Sequence, residues 1–422
     1  MTSVSRKAVS KINYEPVKES VLASDVLIAF GILGYITVLL FNGVLMHVGL
    51  SLPILEAVRP FLPEFFLVFS IFGWLMNKQK VGKSLLISLV YFLIVMILSF
   101  GNFTVPSLLI TLRNFLIPYF AMLLLSSCSS SRESFIRFNK SLLIIFSIFI
   151  VVGCGFSIIQ QIRGWEWMST YFQGYSSWGT SGNVRVVWSS YETLRTLGTT
   201  GDSSTFGLYS AFAIMFVLFS SFKNSFIKLL LSALAMVSIF NSGNKTGLLI
   251  GAFLILYYLV SIIFVNHEKL KNRLALLFVV LTSVILLFSL RETDSDSMLY
   301  SMKLRFEVWA SIFNEDNLSN LFVPHTLYDY SSFGASGGNT TIWDNSYLFL
   351  AFSFGLIGVL IIFAQMFNLV KPMWENNLVK MFCFVMAFSM FSTNIFVGRN
   401  IAGFALIYLG YLFSNRGHLN RG

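Results

Sequence analysis

The chain has 422 residues, 56% of them apolar and only 11% charged, with 45 Phe and a mean hydropathy of +0.75. Soluble domains carry charge on roughly a quarter of their residues, so this composition excludes a soluble globular protein. The modest Gly 29, Pro 8 and Cys 3 exclude collagen-like, disordered and disulfide-scaffold classes, while the net charge of +10 falls mostly in short connections, where it sets topology and not nucleic-acid binding.

Residues 1–24 read as a cytoplasmic N-terminal segment with Arg6, Lys7, Lys11 and Lys18. The apolar run that follows is long, lacks an A-x-A cleavage site and is followed by many others, so it is read as a retained helix and not a signal peptide. Apolar runs of about 17 to 25 residues can cross the hydrocarbon layer as helices. In chain order they lie at about 25–48, 61–77, 84–100, 105–126, 141–159, 204–221, 226–241, 246–265, 274–290, 345–367, 379–396 and 400–414. The fold class expected is therefore all-α: a single polytopic membrane domain over 25–414 with about 12 transmembrane helices (10–12, since three runs are short), then a cytoplasmic tail at 415–422. With the N-terminus inside, 19 of the 29 Lys and Arg fall in inner segments, which places both termini in the cytoplasm.

Two outer loops, at about 160–203 and 291–344, exceed ordinary connection lengths. The first carries Trp165, Trp167, Tyr171, Phe172, Tyr175, Trp178, Trp188 and Tyr191; the second carries Trp309, Tyr328, Tyr330 and Trp343. Aromatic rings at this density stack on sugars or form an interfacial belt. In or beside these loops lie four polar clusters: Arg195-Thr-Leu-Gly198 through Asp202 to Gly207; Asn241-Ser-Gly243-Asn-Lys245-Thr-Gly247; Arg305-Phe-Glu307-Val-Trp309; and Asp344-Asn345-Ser-Tyr347, followed by Phe354-Gly355-Leu-Ile-Gly358.

Each cluster has a structural reading. Arg195 and Lys245 can snorkel to headgroups, Arg305 can form a surface pair with Glu307, and Asp344-Asn345 can cap the next helix. Together they offer more: three cations from separate segments on one face suit a diphosphate, with planar donors from Arg and a compact charge from Lys. Asp344 can accept a proton from an attacking hydroxyl, and the helix start after Gly198–Ser204 offers backbone N–H groups to phosphate.

This arrangement resembles the Wzy-type polymerases of O-antigen and exopolysaccharide repeat units, within the O-antigen polymerase/ligase superfamily. The resemblance is carried by R-x-x-G at Arg195, S-G-x-K-T-G at Lys245, R-x-x-x-W at Arg305 and D-N-S-Y-L at Asp344. It implies a membrane glycosyltransferase at the outer face of the bacterial cytoplasmic (inner) membrane. That enzyme polymerises undecaprenyl-diphosphate-linked repeat units without metal or cofactor, and a chain-length regulator is a possible partner. It further implies Arg195, Lys245 and Arg305 as diphosphate contacts, with Asp344, Arg305 and Arg195 catalytic. Trp188, Trp309, Asn345 and Tyr347 are the glycan-contact candidates. Ligases of the superfamily place His where this chain has Asp344, which favours polymerase; Glu192, Asp202, Asp329 and His325 remain alternative bases. The alternatives in function are an O-antigen ligase and a lipid-linked sugar flippase or transporter.

Other signals are set aside. Asp294-Ser-Asp296 matches a metal-binding tripeptide too short to be specific, and Gly334-Ala-Ser-Gly337-Gly338 lacks the Lys and helix of a phosphate loop. Cys128, Cys154 and Cys383 have no paired spacing. Arg113 falls within a span, where a cation needs a partner, and Glu64 is the candidate.

Overall fold

A computed structural model describes residues 18–77, 82–98, 111–128, 130–171, 194–220, 223–263, 300–313, 345–392 and 401–419, with isolated positions between 273 and 322. All the regular elements among these are helical. They are α1 (Lys18–Leu40), α2 (Asn42–Ser51), α3 (Pro53–Val58), α4 (Leu62–Met76), α5 (Lys83–Leu98), α6 (Ile117–Leu125), α7 (Arg132–Tyr171), α8 (Ser203–Phe219), α9 (Ser225–Ser242) and α10 (Lys245–Ile263). After them come α11 (Tyr300–Ile312), α12 (Ser346–Val370), α13 (Asn377–Ser392), α14 (Ile401–Ser414) and α15 (Arg416–Leu419). A 3-10 turn over Arg59–Phe61 leads into α4 and a π-turn over Leu112–Leu116 leads into α6.

Among the described residues six helices are long and apolar enough to cross a membrane: Ala23–Leu40, Arg59–Met76, Arg132–Gly164, Ser225–Ser242, Lys245–Ile263 and Ser346–Met373. Shorter apolar helices cover Lys83–Leu98, Leu112–Leu125, Ser203–Phe219, Asn377–Phe391 and Ile401–Ser414. Eleven of the twelve expected runs thus contain a helix, and most of 274–290 lies outside the described residues. The protein is a membrane protein whose regular structure, among the described residues, is helical.

Two helices occupy the middle of the bundle. From Ser203 to Leu218, α8 is buried at almost every position, and α14 is buried from Ile401 to Leu412. A helix apolar on all sides must be surrounded by others, and α8 packs against α7, α9, α10 and α13 while α14 packs on α6. Lipid tails offer no hydrophobic drive for helices to associate, so close approach of backbones has to supply the contact. At the α8–α10 crossing a Cβ on Gly247 would stand 2.8 Å from the Gly207 carbonyl oxygen; at the α1–α4 crossing Gly31 and Gly73 meet Ser70 and Ile28 with no room for one. Phe404 of α14 then packs among Phe146, Phe212, Phe216 and Tyr408.

Several polar groups inside the bundle are tied by hydrogen bonds between helices. Tyr119 Oη donates to Gln365 Oε1 at 2.5 Å, and Gln365 Nε2 donates to Ser88 Oγ at 2.8 Å and to the Ser84 carbonyl at 3.0 Å, joining α5, α6 and α12. Buried Lys228 donates to the carbonyls of Leu218 and Ser220 at 2.8 Å each, closing the C-terminus of α8, where a cation suits the helix dipole. At the same end of the bundle, Asp25 Oδ2 accepts from Ser131 N (2.9 Å) while His418 Nε2 lies 3.1 Å from the Ser130 carbonyl, so one peptide plane is held from both sides.

Two helices are interrupted. Gly164 (φ 75°) breaks α7 near its end, and Gly355 (φ 70°, ψ 167°) divides α12 into Ser346–Phe354 and the stretch after it. The carbonyl of Phe354, freed by that break, accepts from Tyr91 Oη at 2.5 Å. A freed backbone group at membrane depth is tolerated because a neighbouring side chain satisfies it.

Candidate functional site

Two of the polar clusters of the sequence, those of Arg195 and of 241–247, meet at the end of the bundle opposite the Asp25 clamp, and Arg305 comes within electrostatic range of them. The segment 194–202 enters α8 there as a buried, internally bonded loop. Gly198 (φ 55°) and Gly201 (φ 79°) supply its left-handed positions, and Thr196 through Gly201 are all buried. Three neighbours hold it. From α7, Gln161 Nε2 donates to the Leu194 carbonyl (2.7 Å) and Gln160 Oε1 accepts from Gly198 N (3.0 Å). From α9, the Asn241 carbonyl accepts from Thr196 N (2.9 Å). From the α1–α2 corner, Gly43 N donates to the Thr199 carbonyl (2.8 Å) and Asn42 Nδ2 to that of Thr200 (3.4 Å).

Arg195 projects from this loop across the turn between α9 and α10. Its Nε donates to the Ser242 carbonyl at 3.1 Å and its Nη2 to Ser204 Oγ at 3.4 Å. Gly243 takes φ 64° to end α9, and Asn244 caps α10 by accepting from Gly247 N at 2.8 Å. Asn244 Nδ2 also donates to the Ser204 carbonyl (2.6 Å), which fastens the start of α10 to the start of α8. Lys245 is the first residue of α10, and its side chain is exposed.

Arg305 arrives from α11. That helix is held by Trp309, which is 5% exposed and set edge-on against Phe391 of α13 (5.7 Å) and Phe306 (5.0 Å), and by Phe313 against Phe352 of α12 (5.7 Å). Partial desolvation by the surrounding protein is the largest influence on the Lys245 ammonium, and the positive charges of Arg305 and then Arg195 act on it as well. Cations from the 194–202 loop and from α11 therefore both lie within electrostatic range of the one at the α10 start. Like charges repel, so this gathering is kept by the surrounding fold and not by mutual attraction.

The remaining expectations divide. Asn345 is the cap of α12, its Oδ1 accepting from Leu348 N at 3.1 Å, so capping belongs to Asn345. Asp344, Trp188, Glu192, His325 and Asp329 lie outside the described residues. Tyr347 donates to the Ala387 carbonyl (3.0 Å) and stacks on Phe363, which joins α12 to α13. Trp309 and Tyr347 thus each make contacts between helices, Trp309 buried and Tyr347 half-buried. Two expectations need correcting. The start of α8 is not open to phosphate: Asp202 caps it, its Oδ2 accepting from Thr205 N at 2.7 Å, and a carboxylate already sits at the positive end of the dipole. Glu307 pairs with Lys303 (4.0 Å), one turn along α11.

Arg113 pairs with Glu64, as expected for a cation within a span: its Nε donates to Glu64 Oε1 and its Nη2 to the Pro60 carbonyl, with Glu64 Oε2 at 3.4 Å. Sequence reasoning missed Asn42 and Asn244, whose roles depend on segments far away in the chain. It also missed Arg59, whose Nη1 donates to Asn42 Oδ1 at 3.1 Å. No group of three or more His, Cys, Asp or Glu suited to a metal occurs among the described residues. Comparison of the chain with protein-family models, curated proteins and solved structures finds no match.

Proposed function

We propose that this chain is a polymerase of lipid-linked glycan repeat units, acting as a twelve-span protein at the outer face of the bacterial inner membrane with both termini in the cytoplasm. The observation that supports this reading is the electrostatic proximity of Lys245 to Arg305 and Arg195, side chains from three separate segments of the chain. A polyprenyl diphosphate carries concentrated negative charge, and charge-assisted donors from Arg and Lys hold it. In the reaction, a hydroxyl of the incoming unit attacks the anomeric carbon of the growing glycan. The bond from that carbon to the diphosphate oxygen breaks with its electron pair, and the hydroxyl proton passes to a base, for which Asp344 is the candidate. Diphosphate leaves readily once its developing charge is balanced, so the cations supply electrostatic stabilisation and orientation supplies much of the rest.

The experiment is the surface polysaccharide of a strain lacking the chain. Single repeat units on the acceptor support a polymerase. Polymer retained on carrier lipid with none transferred selects a ligase. A transporter is favoured by the broken α12 and the buried Ser88–Tyr119–Gln365 network, because transporters use interrupted helices and polar groups at membrane depth; lipid-linked units trapped at the inner leaflet would select it.

A further inference from the structure

Joining two lipid-linked glycans requires two carrier diphosphates on one face of the protein, one leaving the growing chain and one remaining on the incoming unit. The Arg195–Lys245–Arg305 group accounts for one. At the same end of the bundle the described residues hold a second basic group. Arg113 sits in the π-turn over Leu112–Leu116, bonded to Glu64 and to the carbonyl of Pro60, the residue after Arg59. The Arg113 guanidinium therefore lies against the backbone of the turn that carries Arg59. Arg59 is partly exposed, and the Arg113 and Glu64 side chains are 36% and 25% exposed.

Three features point to a ligand. Ionisable groups within spans are costly and mark pathways or sites. Single π-turns inside helices concentrate at functional positions. The third is a hydrogen-bonded connection to the first site: Arg59 Nη1 donates to Asn42 Oδ1, Asn42 Nδ2 donates to the Thr200 carbonyl, and Thr200 lies in the loop that carries Arg195. The flank is open to lipid, with Phe65, Val68, Phe72 and Leu75 of α4 exposed beneath it. A diphosphate whose polyprenyl tail stays in the bilayer can reach this flank without leaving the membrane.

We propose that Arg59 and Arg113 hold the diphosphate of the second lipid-linked substrate, with Glu64 keeping Arg113 in place when the site is empty. This rests on the polymerase reading for the identity of the lipid, but the binding is measurable without it.

The test is native mass spectrometry of the full chain in detergent with a short-chain polyprenyl diphosphate, and phosphatidylglycerol as competitor. The unaltered protein takes two diphosphate lipids. Arg59→Gln, and Glu64→Gln combined with Arg113→Gln, each weaken one of the two by about tenfold or more, as expected for a lost charge-assisted contact. Phosphatidylglycerol does not displace it. The paired change leaves no unpartnered charge; if it does not fold, Arg59→Gln alone, which keeps the ion pair, decides. One bound lipid in the unaltered protein, two undiminished in Arg59→Gln, or equal displacement by phosphatidylglycerol overturns the proposal. If changing Arg195, Lys245 and Arg305 to Gln leaves two lipids bound while Arg59→Gln removes one, the second site stands and the assignment of the first fails.

Discussion

The Arg195 side chain lies directly over Gly243: a Cβ at that glycine would stand 3.1 Å from both Cγ and Nε of the arginine. Gly243 also has φ 64°, so the turn that delivers Lys245 and the course of the Arg195 guanidinium depend on one position with no side chain. Gly243→Ala is expected to cost about 1 kcal/mol or more from backbone strain and to displace Arg195. Thermal unfolding reads the first effect and diphosphate-lipid affinity the second. Unchanged affinity would separate Gly243 from the site.

Substituting single cations tests the gathering itself. A hydrogen bond to a charged group is worth about 1.5–3 kcal/mol, or roughly ten- to a hundredfold in affinity. Arg305→Ala and Lys245→Ala should each lose that much diphosphate-lipid binding and shorten or abolish polymer in cells. Arg195→Lys, which keeps charge but not the bonds to Ser242 and Ser204, should fall between Arg195→Ala and the unaltered protein. Full polymer length in any alanine variant removes that residue from the site.

Capping and catalysis can be separated at adjacent residues. Because Asn345 Oδ1 holds Leu348 N, Asn345→Ala should lower stability by about 1 kcal/mol. Asp344→Asn should leave unfolding unchanged and remove polymer. Retained polymer in Asp344→Asn moves the search for the base to Glu192, Asp329 or His325; Asp202 is already engaged with Thr205 N.

Inside the bundle, Tyr119→Phe removes the bond to Gln365. Such interhelical bonds average about 0.6 kcal/mol, with a maximum of about 1.7, so a small loss of thermal stability is expected. A loss above about 3 kcal/mol would show the network to be cooperative beyond its pairs.

Cys128 lies in the turn between α6 and α7, where burial, with Asp25 nearby, pushes its thiol up to about 12. Only the thiolate reacts, so at pH 8 a maleimide should label it about a thousandfold more slowly than an exposed cysteine with an ordinary thiol. Rapid labelling of folded protein would show that turn to be open.

The helices were legible because continuous apolar runs announce them, and the run expected near 84–100 is realised as Lys83–Leu98. Their ends were less so. α7 begins at Arg132, well before the apolar run near 141, because Arg132, Glu133, Arg137 and Lys140 are helical while too polar for a hydropathy reading; Glu133 and Arg137 even pair along the helix. The run near 25–48 is divided at Phe41, where Gly43 N leaves the helical pattern to bond Thr199. The break at Gly355 is invisible to composition because it relies on Tyr91 from another segment. At the site, the cations stood out against the inside bias, whereas Asn42 and Asn244 look like ordinary loop residues until their partners, 158 and 40 residues away in the chain respectively, are in place.

The peptide joining Ser130 to Ser131 is gripped by Asp25 near the start of the first helix and by His418 near the end of the last. The first and last described helices thereby share a mooring, and elements that lie close together at the two ends of a fold are what circular permutation requires. A version in which α15 is linked to α1 and the chain reopened in the connection between α8 and α9 is expected to keep the bundle while changing the order of synthesis.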